Sequence, residues 1–300
     1  MPVCGLCKKE ASLRASHIIP AFVFRWLRET SATGFLRSGT NPKVRAQDGL
    51  KVPLLCEECE QRFSRLERQF ANSIFYPMQR QNVAEVEYAD WFLKFCVSIS
   101  WRILTYAIQR DLIVHFSEAQ KRESTQALAR WAQFLLDEVA HPGRFEQRLV
   151  LLGAIGRAPK GRQFQPNVNR YFMRSVDVDL ANSESSAFTF AKIGPFALFG
   201  MIEFVERWQG TKITANGGTV GPRQYELPRG IFDYWMERAK HHSQSYRKIS
   251  AAQQEKLVAD IRFNPERFLN SGTFEAMEHD VRMFGRDAFW NHKLESAADE

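Results

Sequence analysis

The sequence predicts an α+β protein in which a small cysteine-bearing module, residues 1–79, precedes a larger mixed domain of helices and strands, residues 80–300. Two C-x-x-C pairs, at residues 4–7 and 56–59, mark the module. In the remainder, helical periodicity at both ends flanks a central part in which apolar and polar residues alternate. These observations together indicate one metal-dependent module and one domain with its own core.

The larger domain divides into three predicted parts. Residues 87–141 have helical periodicity, residues 147–226 have the texture of strands, and residues 228–290 return to helical patterns. Ser117 and Gln120 have the spacing of a capping box, so we expect a helix to begin there. The expected strands contain the stretches "RLVLLGAI", "YFMRSVDVDL" and "AFTFAKIGPFALFGMIEF", with "ANGG" as a turn.

The stretch from Trp91 to Ile108 is the most hydrophobic segment of helical length. Lys94 and Arg102 lie within it, and charges at the centre of a bilayer are costly, so we expect a buried core helix. Cys96 in this helix is interpreted as core filling. The first residues lack the order of charged, apolar and small residues typical of a signal peptide, which predicts a cytoplasmic protein without a membrane partner.

Between the two cysteine pairs the module is predicted to contain one helix, "AFVFRWLRET", which stops near Gly34. The polar stretch at residues 37–49 is rich in Gly, Asn, Pro and Asp and predicts a loop. "LKVPLL" then leads into the second pair, after which we expect a helix through about residue 75.

The paired spacing of Cys4, Cys7, Cys56 and Cys59 is typical of a zinc site in a reducing compartment, because Zn²⁺ prefers four tetrahedral sulfur or nitrogen ligands. With one pair in a turn and the other at the start of a helix, the arrangement predicts a treble-clef-like finger. A module this small buries little core, so we expect a structural Zn²⁺ to supply much of its folding free energy.

The net charge of the chain is +7, and residues 1–75 contain twelve Lys or Arg against seven Asp or Glu. This excess permits a nucleic-acid partner, but a solvated charged surface would give the same count.

The stretch "SHIIP", which contains His17, and the second cysteine pair at a helix start resemble the zinc-containing HNH endonucleases over residues 4–67. The resemblance implies a ββα-metal site in which His17 is the general base that deprotonates a water for attack on a phosphodiester. It also implies a single catalytic Mg²⁺ or Mn²⁺ ion, which stabilises charge at the phosphate. Histidine suits the role of base because its ordinary pKa lies near neutral pH.

The sequence departs from the pattern of that family at three positions. Ser16 stands where the family has an acidic residue, Glu60 stands where it has a histidine ligand, and Lys51 falls near the place of its central Asn. Glu60 and Glu67 share one helix face, and carboxylates are good ligands for Mg²⁺ or Mn²⁺. We therefore expect Glu60 to replace the missing ligand and Glu67 to be a second carboxylate for the same ion.

Alternatives remain open for these residues. Glu60 and Glu67 on a solvated helix would pair with neighbouring arginines instead. His17 would cap the finger, donate to a carbonyl or, as a third possibility, bind zinc.

Basic side chains near the motif are the expected contacts to phosphate groups. As a group they are Arg14, Arg25, Lys51, Arg62, Arg65 and Arg68. Asp177 with Asp179, and His241 with His242, are weaker candidates for sites, because strand alternation and helix geometry explain them without a ligand.

The leading hypothesis is a metal-dependent HNH-type endonuclease acting on DNA in bacterial restriction or phage defence, a setting that the resemblance implies. Residues 80–300 would provide target choice, homodimer formation or control by an activating protein or small-molecule signal. The alternatives are a non-catalytic zinc finger for recognition or structure, and a C-terminal domain that binds a ligand or partner.

Overall fold

The computed structural model describes residues 1–37, 45–46, 48–157, 163–246 and 250–288 of the chain. These residues form two compact units, and each unit draws on three separate segments of the chain. Unit 1 comprises Met1–Ala21, Gly49–Leu151 and Val176–Pro228, and unit 2 comprises Phe22–Asp48, Leu152–Ser175 and Arg229–Glu300. The boundary predicted at residue 79 falls inside unit 1, and the assignment of roles to the two predicted parts stays a prediction.

The helices of the chain, in sequence order, are α1 (Ala21–Glu29), α2 (Glu57–Phe70), α3 (Tyr76–Arg80), α4 (Trp91–Gln109), α5 (Glu118–Leu135), α6 (Val168–Arg174), α7 (Arg229–Tyr246), α8 (Ala251–Phe263), α9 (Pro265–Leu269) and α10 (Gly272–Phe284). A π-helical turn, Ala71–Phe75, joins α2 to α3, and a 3₁₀ turn, Gly285–Ala288, follows α10. The helix predicted to reach about residue 75 therefore continues to Arg80.

The strands are β1 (Arg14–His17), β2 (Leu36–Arg37), β3 (Arg45–Ala46), β4 (Lys51–Leu55), β5 (Val86–Tyr88), β6 (Gln147–Leu151), β7 (Val176–Asn182), β8 (Ser186–Ile193), β9 (Phe196–Phe204), β10 (Lys212–Ile213) and β11 (Gly218–Val220). All pair antiparallel, in one five-stranded sheet of order β10-β6-β9-β8-β7 and three two-stranded sheets. The described residues are thus mixed α and β, as predicted.

The core of unit 1 lies where α4 and α5 pack on the five-stranded sheet. Most side chains of α4 are buried, including Cys96 and Arg102, which confirms the predicted core helix. The capping box of Ser117 and Gln120 is formed at the start of α5. Among the residues that the structure describes, none of the helices combines the length and the apolar character that crossing a bilayer requires.

Gly200 allows α4 to approach the sheet closely. A Cβ added at this glycine would come within 2.6 Å of the Cβ of Ser100 on α4, a separation that real side chains do not tolerate. The Oγ of Ser100 also donates to Oε1 of Gln147 on β6, at 2.7 Å. The lack of a side chain at Gly200 and the hydrogen bond from Ser100 to Gln147 therefore define where α4 packs on the sheet.

Unit 2 contains α1, α6 and the four C-terminal helices α7 to α10. Its centre is a buried carboxylate on α10, Asp280, which accepts hydrogen bonds from the backbone N–H groups of Asn169 and Arg170 and from Nε of Arg170. Desolvation raises the pKa of Asp280, and Arg170 opposes that rise. The α6–α10 contact therefore contains a buried ion pair that is also hydrogen-bonded.

Three local predictions need correction or fall outside the described residues. The stretch "YFMR" at residues 171–174 ends helix α6 and does not begin a strand, because the strand β7 starts only at Val176. The predicted loop at residues 37–49 contains the short strand β3, and most of its remaining residues lie outside the described ranges. The end of the last predicted helical part, residues 289–290, also lies outside them.

Candidate metal centre and its surroundings

The four predicted cysteines come together in unit 1. Their Sγ atoms all lie within 4.8 Å of one another, so Cys4, Cys7, Cys56 and Cys59 could hold a metal ion such as zinc. All four are free thiols, and Cys7 is the most exposed of them. Within the described ranges, no second group of three or more His, Cys, Asp or Glu side chains lies close enough to hold an ion.

Backbone geometry explains why pairs so far apart in sequence converge. The first pair lies in a tight turn, where the N–H of Lys8, with φ 61°, donates to the carbonyl of Cys4. The N–H of Gly5 donates to the carbonyl of Leu54 on β4 at 2.9 Å, and β4 leads directly into Cys56. The turn is therefore hydrogen-bonded to the strand that presents the second pair.

The pKa shifts of the thiols bear on how a cation would be held at their centre. Burial raises the pKa of Cys4, but the N–H groups of Cys56, Cys7 and Leu6 outweigh it and bring this pKa down to about 7. Burial raises the pKa of Cys59 far above its ordinary value, and the neighbouring thiols and the charge of Cys4 raise it further. Without a cation Cys59 therefore stays protonated, and all four groups could be thiolates together only around a cation such as Zn²⁺.

Strand β1 and helix α2 meet beside this cluster through Ser16 and Glu60. The Oγ of Ser16, which is fully buried, donates to Oε2 of Glu60 at 2.5 Å. Ser16 directly precedes His17, and Glu60 directly follows the second cysteine pair. The structure thus brings together two of the three positions at which the sequence departs from the HNH pattern.

Arg102 of helix α4 forms a second connection between the same two elements. Its Nη1 donates to the backbone carbonyl of His17 and to Oε1 of Glu67, both at 2.7 Å. Its guanidinium carbon lies 5.3 Å from the centre of the Phe63 ring, and Nε donates to the carbonyl of Ser98. Glu67 therefore takes part in a nearly buried ion pair, whether or not it also contacts an ion.

The predicted phosphate-binding residues occupy different environments. Arg14 donates to Glu57, and Arg62 donates to Oδ2 of Asp137 at 2.5 Å and to the carbonyl of Leu135. The side chains of Lys51, Arg65 and Arg68 are exposed on unit 1, whereas Arg25 is exposed on α1 of unit 2. The structure therefore assigns five of the six residues to the unit that contains the cysteines.

The weaker candidate sites have ordinary structural contacts. On β7, Asp177 accepts a hydrogen bond from the N–H of Val178 and lies opposite Lys192 of β8 in the strand register. Burial lowers the pKa of Lys192, and the negative charge of Asp177 opposes that change. His241 contacts Glu237 one helical turn away, at 3.2 Å.

Arg102 and Asp137 are the residues near this site that sequence reasoning missed. Asp137 accepts from both Arg62 and Lys94, and so ties α2 to α4 just beyond the end of α5. Arg102 was recognisable as a charged residue in an otherwise apolar helix, which usually means that a buried partner exists. No comparable signal in the sequence distinguishes Asp137.

No protein-family model, no curated protein and no solved structure matches this chain.

Proposed function

We propose that this protein is a metal-dependent endonuclease of HNH type, with a zinc finger of treble-clef type as its frame. The observation that carries the proposal is the Ser16–Glu60 contact next to the four cysteines. In the family that the sequence resembles, the strand position before the histidine is acidic. Here the carboxylate comes instead from the helix, at the position that packs against that strand residue.

In this proposal the cysteine thiolates would hold a structural Zn²⁺, and Glu60 would hold a catalytic Mg²⁺ or Mn²⁺. Magnesium sites commonly use only one or two protein carboxylates, so a cluster of three is not required. When bound, this ion stabilises negative charge on the phosphate. His17 accepts the proton of the attacking water.

Exposed basic residues on α2 are proposed to contact the nucleic-acid backbone. Arg65 and Arg68 lie three residues apart on the helix that also carries Glu60, and both are exposed. Phosphate contacts of this kind position the substrate without reading its sequence, so we expect little base preference from this surface.

The test is a cleavage assay with plasmid, single-stranded DNA and RNA at low salt, with Mg²⁺, Mn²⁺ or EDTA. We expect the wild-type protein to cleave DNA only when the divalent ion is added. His17→Ala should abolish cleavage while keeping its zinc, whereas His115→Ala, a change at an exposed loop histidine, should cleave normally. Metal-independent cleavage, or full activity in His17→Ala, would contradict the proposal.

A second candidate, a non-catalytic zinc module that binds nucleic acid, is favoured by the existing partners of several site residues. Glu60, Glu67, Arg14 and Arg62 all bond to other groups of the chain. This candidate predicts binding that weakens steeply with salt and no cleavage of any substrate with any ion.

A further inference from the structure

We infer that Arg102 is a positioning residue of the proposed nuclease site, and this inference rests on the proposed function. One nitrogen of its guanidinium joins the backbone of the strand that ends at His17 to a carboxylate of helix α2. Arg102 itself lies on α4, outside the stretch of sequence that resembles a nuclease. The candidate site is thus held from a part of the chain that the motif does not include.

Two buried connections between β1 and α2, those of Ser16 and Arg102, work as a pair, in addition to the exposed Arg14–Glu57 ion pair. Ser16 holds Glu60, and seven residues further along α2 the ion pair with Arg102 holds Glu67. Residues seven apart on a helix lie on nearly the same face, so the two bonds together fix the rotation of α2 about its axis. If the bond to Glu67 were lost, the position of Glu60 relative to the end of β1 would depend on the buried contact of Ser16 and on the exposed Arg14–Glu57 pair at the start of both elements.

The burial of Arg102 costs more free energy of desolvation than the burial of an apolar side chain at the same place would. The residue is 1 % exposed, and its Nη2 has no hydrogen-bond partner among the described residues. Apolar residues of similar volume often replace buried ion pairs with no loss of stability. What distinguishes Arg102 from another buried arginine is that its Nη1 bonds to β1 and to α2 at once, and this fixes the geometry of the two elements.

A matched control exists in the same unit. Arg148 on β6 is also buried, pairs with Glu146 at 2.5 Å, donates to the carbonyl of Trp208 and lies 5.1 Å from the centre of the Phe204 ring. Its partners are strand and loop residues of the sheet region and not residues of β1 or α2. Its removal therefore reproduces the loss of a buried arginine without disturbing the two connections described above.

The experiment measures single-turnover cleavage of DNA by the wild type and by Arg102→Met, Arg102→Lys and Arg148→Met, together with DNA affinity, zinc content and melting temperature. We expect Arg102→Met to lower the rate constant by about a hundredfold, the effect of a misplacement of about 1 Å. Its DNA affinity and zinc content should stay at wild-type values. Arg102→Lys should recover part of the rate because it keeps the cation, and Arg148→Met should cleave normally despite a similar loss of melting temperature.

The possible failures are distinguishable. If the wild type cleaves nothing, the proposed function is wrong and the role of Arg102 fails with it. If the wild type cleaves and Arg102→Met cleaves as fast as Arg148→Met, the nuclease stands and the inference about Arg102 is overturned. A loss of rate that only follows the unfolded fraction, equal in both methionine variants, also overturns it.

Discussion

Two regions of unit 1 are stabilised in different ways. The sheet region, strands β6 to β10, packs aromatic rings against one another, as in the contacts of Phe199 with Phe188, Phe190 and Trp208. The cysteine region, residues 1–21 and 49–70, also buries apolar side chains such as Leu6, Ile18 and Phe63, but it brings four thiols together among them. The sheet region is therefore stabilised by the burial of aromatic and other apolar side chains, whereas the cysteine region adds buried polar contacts and four thiols that could hold a metal ion such as zinc.

Removal of a zinc ligand should have the largest effect, because it should destabilise the cysteine region and leave the sheet region folded. Cys59→Ser is expected to abolish metal binding, because structural zinc in small modules contributes about 10–16 kcal/mol of apparent binding free energy at neutral pH. Hydrogen exchange should then show lost protection in β1, β4 and α2 and retained protection in β8 and β9. Mass spectrometry of the native protein measures the metal content of the same sample.

The matched control for that change is Cys96→Ala, which removes a buried thiol from α4 without touching the cluster. It should keep one zinc per chain. A zinc content that stays unchanged in Cys59→Ser would rule out the four-cysteine site.

Overpacking at Gly200 tests how the sheet region supports α4. Gly200→Ala places a methyl group against the Cβ of Ser100, and such insertions into packed cores typically cost about 1–3 kcal/mol. Urea unfolding measures the loss. Gly153→Ala is the control, because an added Cβ there has no atom within 4 Å, and an equal loss in both variants would show that the close approach at Gly200 has no special cost.

Loss of the Ser16–Glu60 contact in the cysteine region should have a smaller effect on the free energy of unfolding. Ser16→Ala removes a hydrogen bond to a carboxylate, which should lower the free energy of unfolding by about 1.5 kcal/mol, near the lower end for bonds to charged groups. The change should also weaken cleavage if Glu60 holds the catalytic ion. In a double-mutant cycle with Glu60→Gln the two effects should not add, and additive losses would mean that the bond is absent in solution.

The smallest effect is expected at Asp137, and it depends on pH. A hydrogen bond from Lys94, and a weaker one from Arg62, hold the pKa of Asp137 below its ordinary value of 3.8, against the opposing effect of burial. An acid with a lowered folded-state pKa stabilises the protein above its unfolded pKa, and this stabilisation is lost as pH falls through the folded-state pKa. Asp137→Asn should therefore lower stability at pH 7 by less than about 1 kcal/mol, as for other exposed ion pairs.

Unfolding measured at pH 7 and at pH 3 checks this prediction. The difference between Asp137→Asn and the wild type should shrink at the lower pH. A difference that grows under acid would show that Asp137 is not ionised in the folded state.

The sequence predicts the features that residue spacing and local patterns of apolar residues determine. The capping box at Ser117, the buried helix α4 and the pairing of the cysteines all follow from spacing or from the pattern of apolar residues. The pattern of "YFMR" predicts a strand wrongly because its aromatic residues suit both a strand and a buried helix turn, and the helix packs in tertiary structure against α10 and α7.

Features that depend on tertiary contacts were not predictable from the sequence. Helix α1 lies between the two cysteine pairs in sequence, yet it belongs to unit 2, and no local pattern signals this. The contact of Arg102 with the carbonyl of His17 joins residues 85 positions apart and involves a backbone atom, which carries no residue-specific signal.

The interleaved segments of unit 1 have a consequence for synthesis on the ribosome. The four cysteines emerge early, and Arg102 follows, but the last segment of unit 1, Val176–Pro228, emerges only after residues 152–175 of unit 2. At about 5–20 residues per second, the nascent cysteine region is expected to be exposed for several seconds before the sheet beneath α4 is complete. Early capture of zinc would then protect this part of the growing chain, so metal supply should affect the yield of folded protein during translation as well as the stability of the finished molecule.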